Sequence, residues 1–324
     1  MRAIIPVAGE GSRLRPHTYT LPKVLINVAG KPIIGHILDK IIHDGFNEAT
    51  IVIGYMCEKI IKYVTSNYSL KVDFVEQEER LGLAHSIYIA RETIPDEPVL
   101  IILGDTIFDV DLKPVISGKY TSLGVKYVED PRRFGVVQSK GEFATKLIEK
   151  PDTLISNLAL VGLYWINNTK VLKKSITEVV EGEIKTRGEY QLTDALQKMI
   201  DNGEKITTFN VEGWYDCGKP ETLLSTNRYL LEKNSTQTTG DGYIIIPPVF
   251  ISPKAKISAS VIGPYTTVAD NAVIVDSIIR DSIVSEDASV EKSLLDNSLI
   301  GNNTVVKGAF RRINVGDSSE IDFY

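Results

Sequence analysis

The strongest constraint on this chain is a short aliphatic repeat that occupies its last quarter. Ile251, Ile257, Ile262, Val268, Ile274, Ile279, Val284, Val290, Leu295, Ile300 and Val305 follow one another at steps of five or six residues. Within the run, Asp276-Ser277-Ile278-Ile279, Asp281-Ser282-Ile283-Val284, Lys292-Ser293-Leu294-Leu295 and Asn297-Ser298-Leu299-Ile300 repeat a polar–Ser–aliphatic–aliphatic theme. A period this short is the mark of a parallel β-helix of hexapeptide type, in which one aliphatic residue per short strand points inward and stacks on the coil below. The five-residue steps fit less well, and a β-sandwich is the alternative. At roughly 18 residues per coil, the segment from Val249 to Val306 predicts about three coils of a small left-handed β-helix.

The first 230 residues or so read differently. Ala3–Val7, Thr50–Ile53, Val72–Glu76 and Val99–Leu103 are strand-like apolar runs. Between them, Ile33, Ile34, Ile37, Leu38, Ile41 and Ile42 recur at helical spacing with Gly45 as a C-terminal cap. Ile60, Ile61 and Val64 mark a second helix, and a third lies near Ala84–Arg91. Such alternation predicts a mixed, mostly parallel sheet covered by helices, an α/β fold of Rossmann-like type. Lys233–Gly242 is polar and Pro247-Pro248 follows. The expected organisation is therefore a domain over 1–232, a linker over 233–248 and the repeat over 249–324.

Charge and composition exclude some functions. The net charge is −6, without the basic face of a nucleic-acid binder. No apolar run approaches the roughly 20 residues that span a bilayer. Met1–Val7 reads as a first strand rather than a signal peptide. Cys57 and Cys217 are too few for a disulfide framework or a zinc site. Cytoplasmic location follows as an expectation, with neither nucleic acid nor membrane as partner.

The segment Pro6–Lys23, PVAGEGSRLRPHTYTLPK, carries the chemistry. Glycines after a strand bring backbone N–H groups to phosphate oxygens, and Arg13, Arg15 and Lys23 concentrate positive charge there. A dinucleotide fingerprint needs glycine where Leu14 stands, and a Walker loop needs Gly-Lys-Ser/Thr where Gly11-Ser12-Arg13 stands. The loop is neither. Gly9-x-Gly11-Ser12-Arg13-Leu14-x-Pro16-x-Thr18…Pro22-Lys23 instead resembles the opening motif of the sugar-1-phosphate nucleotidylyltransferases. The likeness runs to about Leu231 and is nearest the long-form glucose-1-phosphate thymidylyltransferases, which carry a C-terminal hexapeptide-repeat domain.

That resemblance implies a magnesium-dependent nucleotidyltransferase domain and a set of site residues. Ala8, Gly9, Gly11 and Ser12 would meet the nucleotide's phosphates, with Arg13 and Lys23 supplying charge. Asp105, which follows the strand ending at Leu103, and Asp216, in Trp214-Tyr215-Asp216-Cys217-Gly218, match the family's metal-binding aspartates. Two carboxylates plus phosphate oxygens suit Mg²⁺. Gln77 and Gly82 match the base contacts, a Gln amide offering the acceptor and donor that a pyrimidine imide needs. Gly135, Glu149, Lys150, Gly162 and Tyr164 match the sugar-phosphate side. Arg187-Gly188-Glu189 and Thr193-Asp194 fit a further family segment near the sugar. Thr106 stands where thymidylyltransferases carry Asn, and Pro6-Val7-Ala8 is more like the uridylyltransferases, so dTTP and UTP both stay open.

The expected substrates are a nucleoside triphosphate and a hexose 1-phosphate, with glucose 1-phosphate first. Rival readings are a mannose-1-phosphate guanylyltransferase, a glycosyltransferase using Asp109-Val110-Asp111, and a non-catalytic regulatory subunit of the kind found among translation initiation factors. All four histidines, His17, His36, His43 and His85, precede the repeat. Amine acetylation on a β-helix calls for a histidine base, so the repeat is expected to serve homo-oligomer assembly or support rather than acetyl transfer.

Overall fold

The computed structural model describes residues 1–233 and 242–308; half of the expected linker, 234–241, lies outside the described residues. The chain divides into two compact units. One comprises Met1–Ile26 with Lys31–Thr226, the other Asn27–Gly30 with the residues from Asn227 onward.

The first unit is built on a nine-stranded sheet in the order Lys71–Glu76, Glu48–Ile53, Arg2–Pro6, Val99–Ile102, Leu158–Ile166, Thr121–Tyr127, Ile206–Asn210, Phe143–Glu149, Gly135–Lys140. The pairings run Phe143–Glu149 and Leu158–Ile166 against the other seven, so the sheet is mixed and mostly parallel. Arg2–Pro6 has parallel neighbours on both sides, Glu48–Ile53 and Val99–Ile102. The chain visits one side first and then the other, which makes a topological switch point where such sheets bind ligands. The loops leaving Arg2–Pro6 and Val99–Ile102 are therefore brought side by side.

Apolar periodicity made the helices legible. Ile33–His43 buries Ile33, Ile34, Ile37, Leu38 and Ile41, while Ile42 is exposed. The helix closes with Gly45 at φ 91° and the Phe46 N–H donating to Ile41 O, the expected left-handed cap. Leu83–Ile89, Thr169–Glu181 and Leu192–Asp201 share a core with the strands through Ile87, Leu172, Ile176, Leu196, Ile101 and Leu123. Among the described residues no helix is long and apolar enough to cross a membrane.

The second unit is a parallel β-helix of hexapeptide-repeat type. Among the described residues twelve short strands stack into three four-stranded parallel sheets, and the first, Ile244–Ile245, falls within residues assigned above to the linker. Ile262, Val268, Ile274, Ile279, Val284 and Val290 fill its interior. One inward position differs from the spacing: Val305 is 63% exposed, and Val306, paired with Val290, packs inward. Nine non-glycine residues, Ala259, Tyr265, Asn271, Asp276, Asp281, Asp287, Lys292, Asn297 and Asn303, turn corners at φ between 47° and 59°, in six-residue steps as well as five-residue ones. Six of them are Asn or Asp, the side chains that best tolerate this region. The serine after several of these corners explains the repeated theme. Ser260 Oγ accepts from the Ser277 N–H at 3.0 Å, Ser277 Oγ from Ser293 at 3.1 Å, and Ser282 Oγ from Ser298 at 3.0 Å. At the start of this unit the buried Asn227 side chain accepts from the Ala29 N–H (2.8 Å) and the Thr267 hydroxyl (2.6 Å) and donates to Tyr265 O (3.1 Å).

Candidate active site

Two adjoining cavities open at the switch point of the first unit. The smaller, about 460 Å³, is walled by the glycine-rich loop, and Ala8, Gly9, Gly11, Ser12, Arg13, Lys23, Gln77, Gly82 and Asp105 all face it. The loop is folded, not open. Ser12–Leu14 and His17–Tyr19 are single turns, and the fully buried Leu14 anchors the first of them. That explains the apolar residue where a dinucleotide fingerprint has glycine. Gly11 adopts φ 65°, and a Cβ there would lie 2.9 Å from Lys23 Cβ, so the loop packs tightly enough to hold the lysine.

Lys23 is 7% exposed, and its ammonium lies 2.8 Å from Asp105 Oδ2, across 82 residues of sequence. Burial alone would raise the Asp105 carboxyl, but the Lys23 charge and hydrogen bond, with smaller help from the Thr106 hydroxyl and Arg13, outweigh it and hold the group below its ordinary value. Asp105 is thus kept ionised beside a buried cation.

The larger cavity, about 700 Å³, collects Gly135, Glu149, Lys150, Gly162, Tyr164 and Asp216. It shares Arg13, Leu83, Leu103 and Asp105 with the smaller one. Asp216 arrives on a two-stranded antiparallel ribbon, Gly213–Asp216 against Thr106–Asp109, in which it pairs with Thr106. The Cys217 N–H donates to Asp105 O at 2.9 Å, so the two aspartates are neighbours across this ribbon. A Cβ on Gly218 would come 2.7 Å from Asp216 Oδ1 and 2.9 Å from Arg13 Nη2, which places that guanidinium beside the second carboxylate.

On the far wall, the Thr193 hydroxyl donates to Glu149 Oε2 at 2.7 Å, and Lys150 Nζ lies 3.4 Å from Glu149 Oε1. Burial, with the Glu149 charge behind it, raises the Tyr164 phenol, which stays a neutral hydroxyl. Lys150 itself sits at φ 41°, and its carbonyl accepts from Arg187 Nη2 at 2.8 Å; the same guanidinium meets Asp152 at 2.6 Å.

The donor chemistry fits a hard cation. Asp105 and Asp216 present carboxylate oxygens. The soft group beside them, the buried Cys217 thiol, is pushed up to about 12 by burial and stays protonated. Among the described residues no group of three or more His, Cys, Asp or Glu gathers to hold a metal. Two carboxylates leave most of the coordination to water and phosphate, the habit of Mg²⁺ rather than of a protein-caged ion.

The glycosyltransferase alternative has no support here. Neither Asp109 nor Asp111 lines either cavity, and Asp111 Oδ1 accepts from the Lys113 N–H at 3.0 Å. Sequence reading passed over Trp214 as a site residue. It lines the larger cavity with its ring edge-on to Phe134, centroids 5.0 Å apart. It also passed over Arg80, which lines the smaller cavity and pairs with Glu10 at the loop tip. Proximity to Asp216 was the available signal for Trp214; a lone surface-type arginine offers none.

With this geometry in view, the comparisons with known proteins are informative. The nucleotidyl transferase family model matches residues 2–233, and the chain belongs to that family. It is 33% identical over 252 residues to the low-salt glycan biosynthesis nucleotidyltransferase Agl11 of Haloferax volcanii, covering 74% of this chain and 69% of that one. It is 39% identical over 243 residues to the bifunctional protein GlmU of Methanocaldococcus jannaschii, covering 74% of this chain but 57% of the relative, so it spans little more than half of that protein's length. With the glucose-1-phosphate thymidylyltransferase of Streptomyces antibioticus it shares 30% identity over 307 residues, 86% of this chain and 85% of the relative. A solved UDP-glucose pyrophosphorylase with UDP-glucose bound superimposes with a TM-score of 0.62 over 72% of this chain and 99% of that one, at 23% identity, a likeness of fold.

Proposed function

We propose that this protein transfers a nucleoside monophosphate from dTTP or UTP to glucose 1-phosphate, giving the nucleoside-diphosphate glucose and pyrophosphate. The observation that carries this reading is the shared wall. One cavity is lined by glycine-loop backbone, the other by carboxylate and hydroxyl groups, and Arg13 and Asp105 belong to both. A triphosphate in the first and a sugar phosphate in the second would meet at those two residues.

A phosphate oxygen of the sugar phosphate attacks the α-phosphorus. A new P–O bond forms, the bond from that phosphorus to the β-phosphate bridging oxygen breaks, and pyrophosphate departs with the electron pair. A phosphate monoester has a second pKa of about 6, so the nucleophile is already ionised at neutral pH and needs no general base. Arg13 and Lys23 neutralise charge on the triphosphate, and the loop N–H groups orient it. Asp105 and Asp216 would hold Mg²⁺, whose chemistry there is to offset phosphate charge. Glu149 accepts from sugar hydroxyls while Lys150 pairs with the sugar's phosphate.

The test is a pyrophosphate-release panel crossing dTTP, UTP, GTP, CTP and ATP with glucose, mannose and N-acetylglucosamine 1-phosphates. Turnover confined to a pyrimidine triphosphate with glucose 1-phosphate is expected. Release only with GTP and mannose 1-phosphate would move the chain to the guanylyltransferases, and no release with any pair would argue for a non-catalytic role.

A further inference from the structure

Gln77 follows the strand Lys71–Glu76, lines the smaller cavity and is 5% exposed. Its amide is already held at both ends. The Ser86 hydroxyl donates to Oε1 at 2.5 Å, and Nε2 lies 3.0 Å from His85 Nδ1 and 3.4 Å from Gly82 O. An amide has two nearly isosteric orientations that exchange its oxygen and its NH₂. A serine hydroxyl serves either, because it both donates and accepts. The Gly82 carbonyl only accepts, so it favours NH₂ on its side. His85 Nδ1 adds to that bias when the ring is neutral with its proton on Nε2. The ring stacks on Tyr88 and Tyr190, centroids 6.5 and 6.4 Å away, and burial lowers its pKa against the opposing pull of Glu79, favouring the neutral form. Gly82 is itself pinned at φ 117°, where a Cβ would lie 2.5 Å from Tyr190 O.

The orientation matters because pyrimidines differ at this edge. Uracil and thymine offer an N–H beside a carbonyl, whereas cytosine offers a bare ring nitrogen beside an amine. An amide presenting its oxygen to one position and its NH₂ to the next matches the imide; the inverted amide matches cytosine. Ser86 uses one lone pair of Oε1 and leaves the other, and His85 takes one hydrogen of Nε2 and leaves the one directed loosely at Gly82 O. The held amide therefore keeps one acceptor and one donor for a base. Guanine also carries an N–H beside a carbonyl, so excluding it falls to cavity size.

We infer that His85 is a positioning residue that, with the Gly82 carbonyl, sets the Gln77 amide in one orientation, the Ser86 hydroxyl serving whichever end faces it, and so makes the site select imide pyrimidines over cytosine. This rests on the reading above that the smaller cavity takes the nucleotide.

The experiment measures two quantities for the full chain, Ser86→Ala, Ser86→Thr and His85→Phe. One is the ratio of kcat/KM for UTP over CTP, and the same for dTTP; the other is equilibrium binding of UTP and CTP with Mg²⁺ but no sugar phosphate. The unaltered chain should prefer UTP in both. His85→Phe should lower the ratio about tenfold, about 1.4 kcal/mol, whereas Ser86→Ala and Ser86→Thr, which alter a partner that serves either orientation, should leave it nearly unchanged. A purely structural role would depress all nucleotides together and leave the ratio unmoved. That result in His85→Phe overturns the proposal, as does a preference of the unaltered chain for CTP. If His85→Phe does not fold, His85→Leu takes its place, and the binding ratio of the unaltered chain still decides. A retained UTP preference in binding, without transfer to any sugar phosphate, would sink the transferase reading and leave the lock standing. Failure of the unaltered chain to bind either nucleotide would sink both.

Discussion

The two units use the same unusual backbone conformation to different ends. In the repeat, left-handed residues recur at every five or six positions, mostly as Asn or Asp, and each simply turns a corner. In the first unit the non-glycine examples are isolated, and one of them, Lys150, lines the larger cavity, its carbonyl accepting from the guanidinium of another, Arg187. A long basic side chain has no local reason to sit there, and the conformation costs about 1–2 kcal/mol per residue. Tertiary hydrogen bonds hold it, which is how strain is maintained where a side chain must be aimed. Regular strain thus marks architecture; of the isolated cases, Met56 and Glu183 only flank helices, while Lys150 belongs to the candidate site.

The comparison can be broken from the architectural side first. Ile274 is fully buried in the repeat interior. Ile274→Ala should cost that unit about 2–5 kcal/mol in its unfolding transition, followed by calorimetry, while turnover at moderate temperature stays the same. A matching loss of turnover would mean that the two units do not divide stability and chemistry between them.

Next come the aspartates. Asp105→Asn and Asp216→Asn should each lower turnover at least about 100-fold, the scale of one lost electrostatic stabiliser, with melting temperature little changed. Near-normal rates in both would remove them from the metal assignment. Because Lys23 and its neighbours hold Asp105 below its ordinary value, it stays charged into the acid range. The acid limb of kcat/KM should therefore track the sugar phosphate's second pKa, about 6, and a limb well below that would contradict the mechanism.

Gln77→Ala should reduce discrimination among nucleotides by about 1–3 kcal/mol, the cost of buried polar groups left unpaired; an unchanged order and spread in the nucleotide panel would show that Gln77 does not read the base.

The smallest effect returns to the left-handed residues. Lys292 turns a corner at φ 49° with only a loose 3.6 Å ion pair to Glu291. Lys292→Asn should stabilise the repeat by somewhat under about 1 kcal/mol, seen as a slightly higher melting temperature. The same exchange at Lys150 should leave stability level or better but raise KM for the sugar phosphate. Equal behaviour at the two sites would erase the distinction drawn between them.

Local patterns determined much of this molecule from the sequence alone. A period of five or six residues fits short strands, three to a coil, each stacked on the coil below, so the repeat and its inward positions were legible down to one slip, Val305 for Val306. Apolar spacing likewise located the helix Ile33–His43, and glycines with flanking basic residues located the loop. What the sequence does not encode locally is who meets whom. Lys23 reaches Asp105 across 82 residues and Thr193 reaches Glu149 across 44, because strand order sets the first loop beside the fourth strand and one helix end against the distant strand Phe143–Glu149, next to the sheet's edge. The hold of Ser86 and His85 on Gln77 spans only nine and eight residues, yet it too was hidden. Which end of an amide faces a hydroxyl depends on the angle between a strand end and a helix start, and that angle is decided by packing, not by spacing.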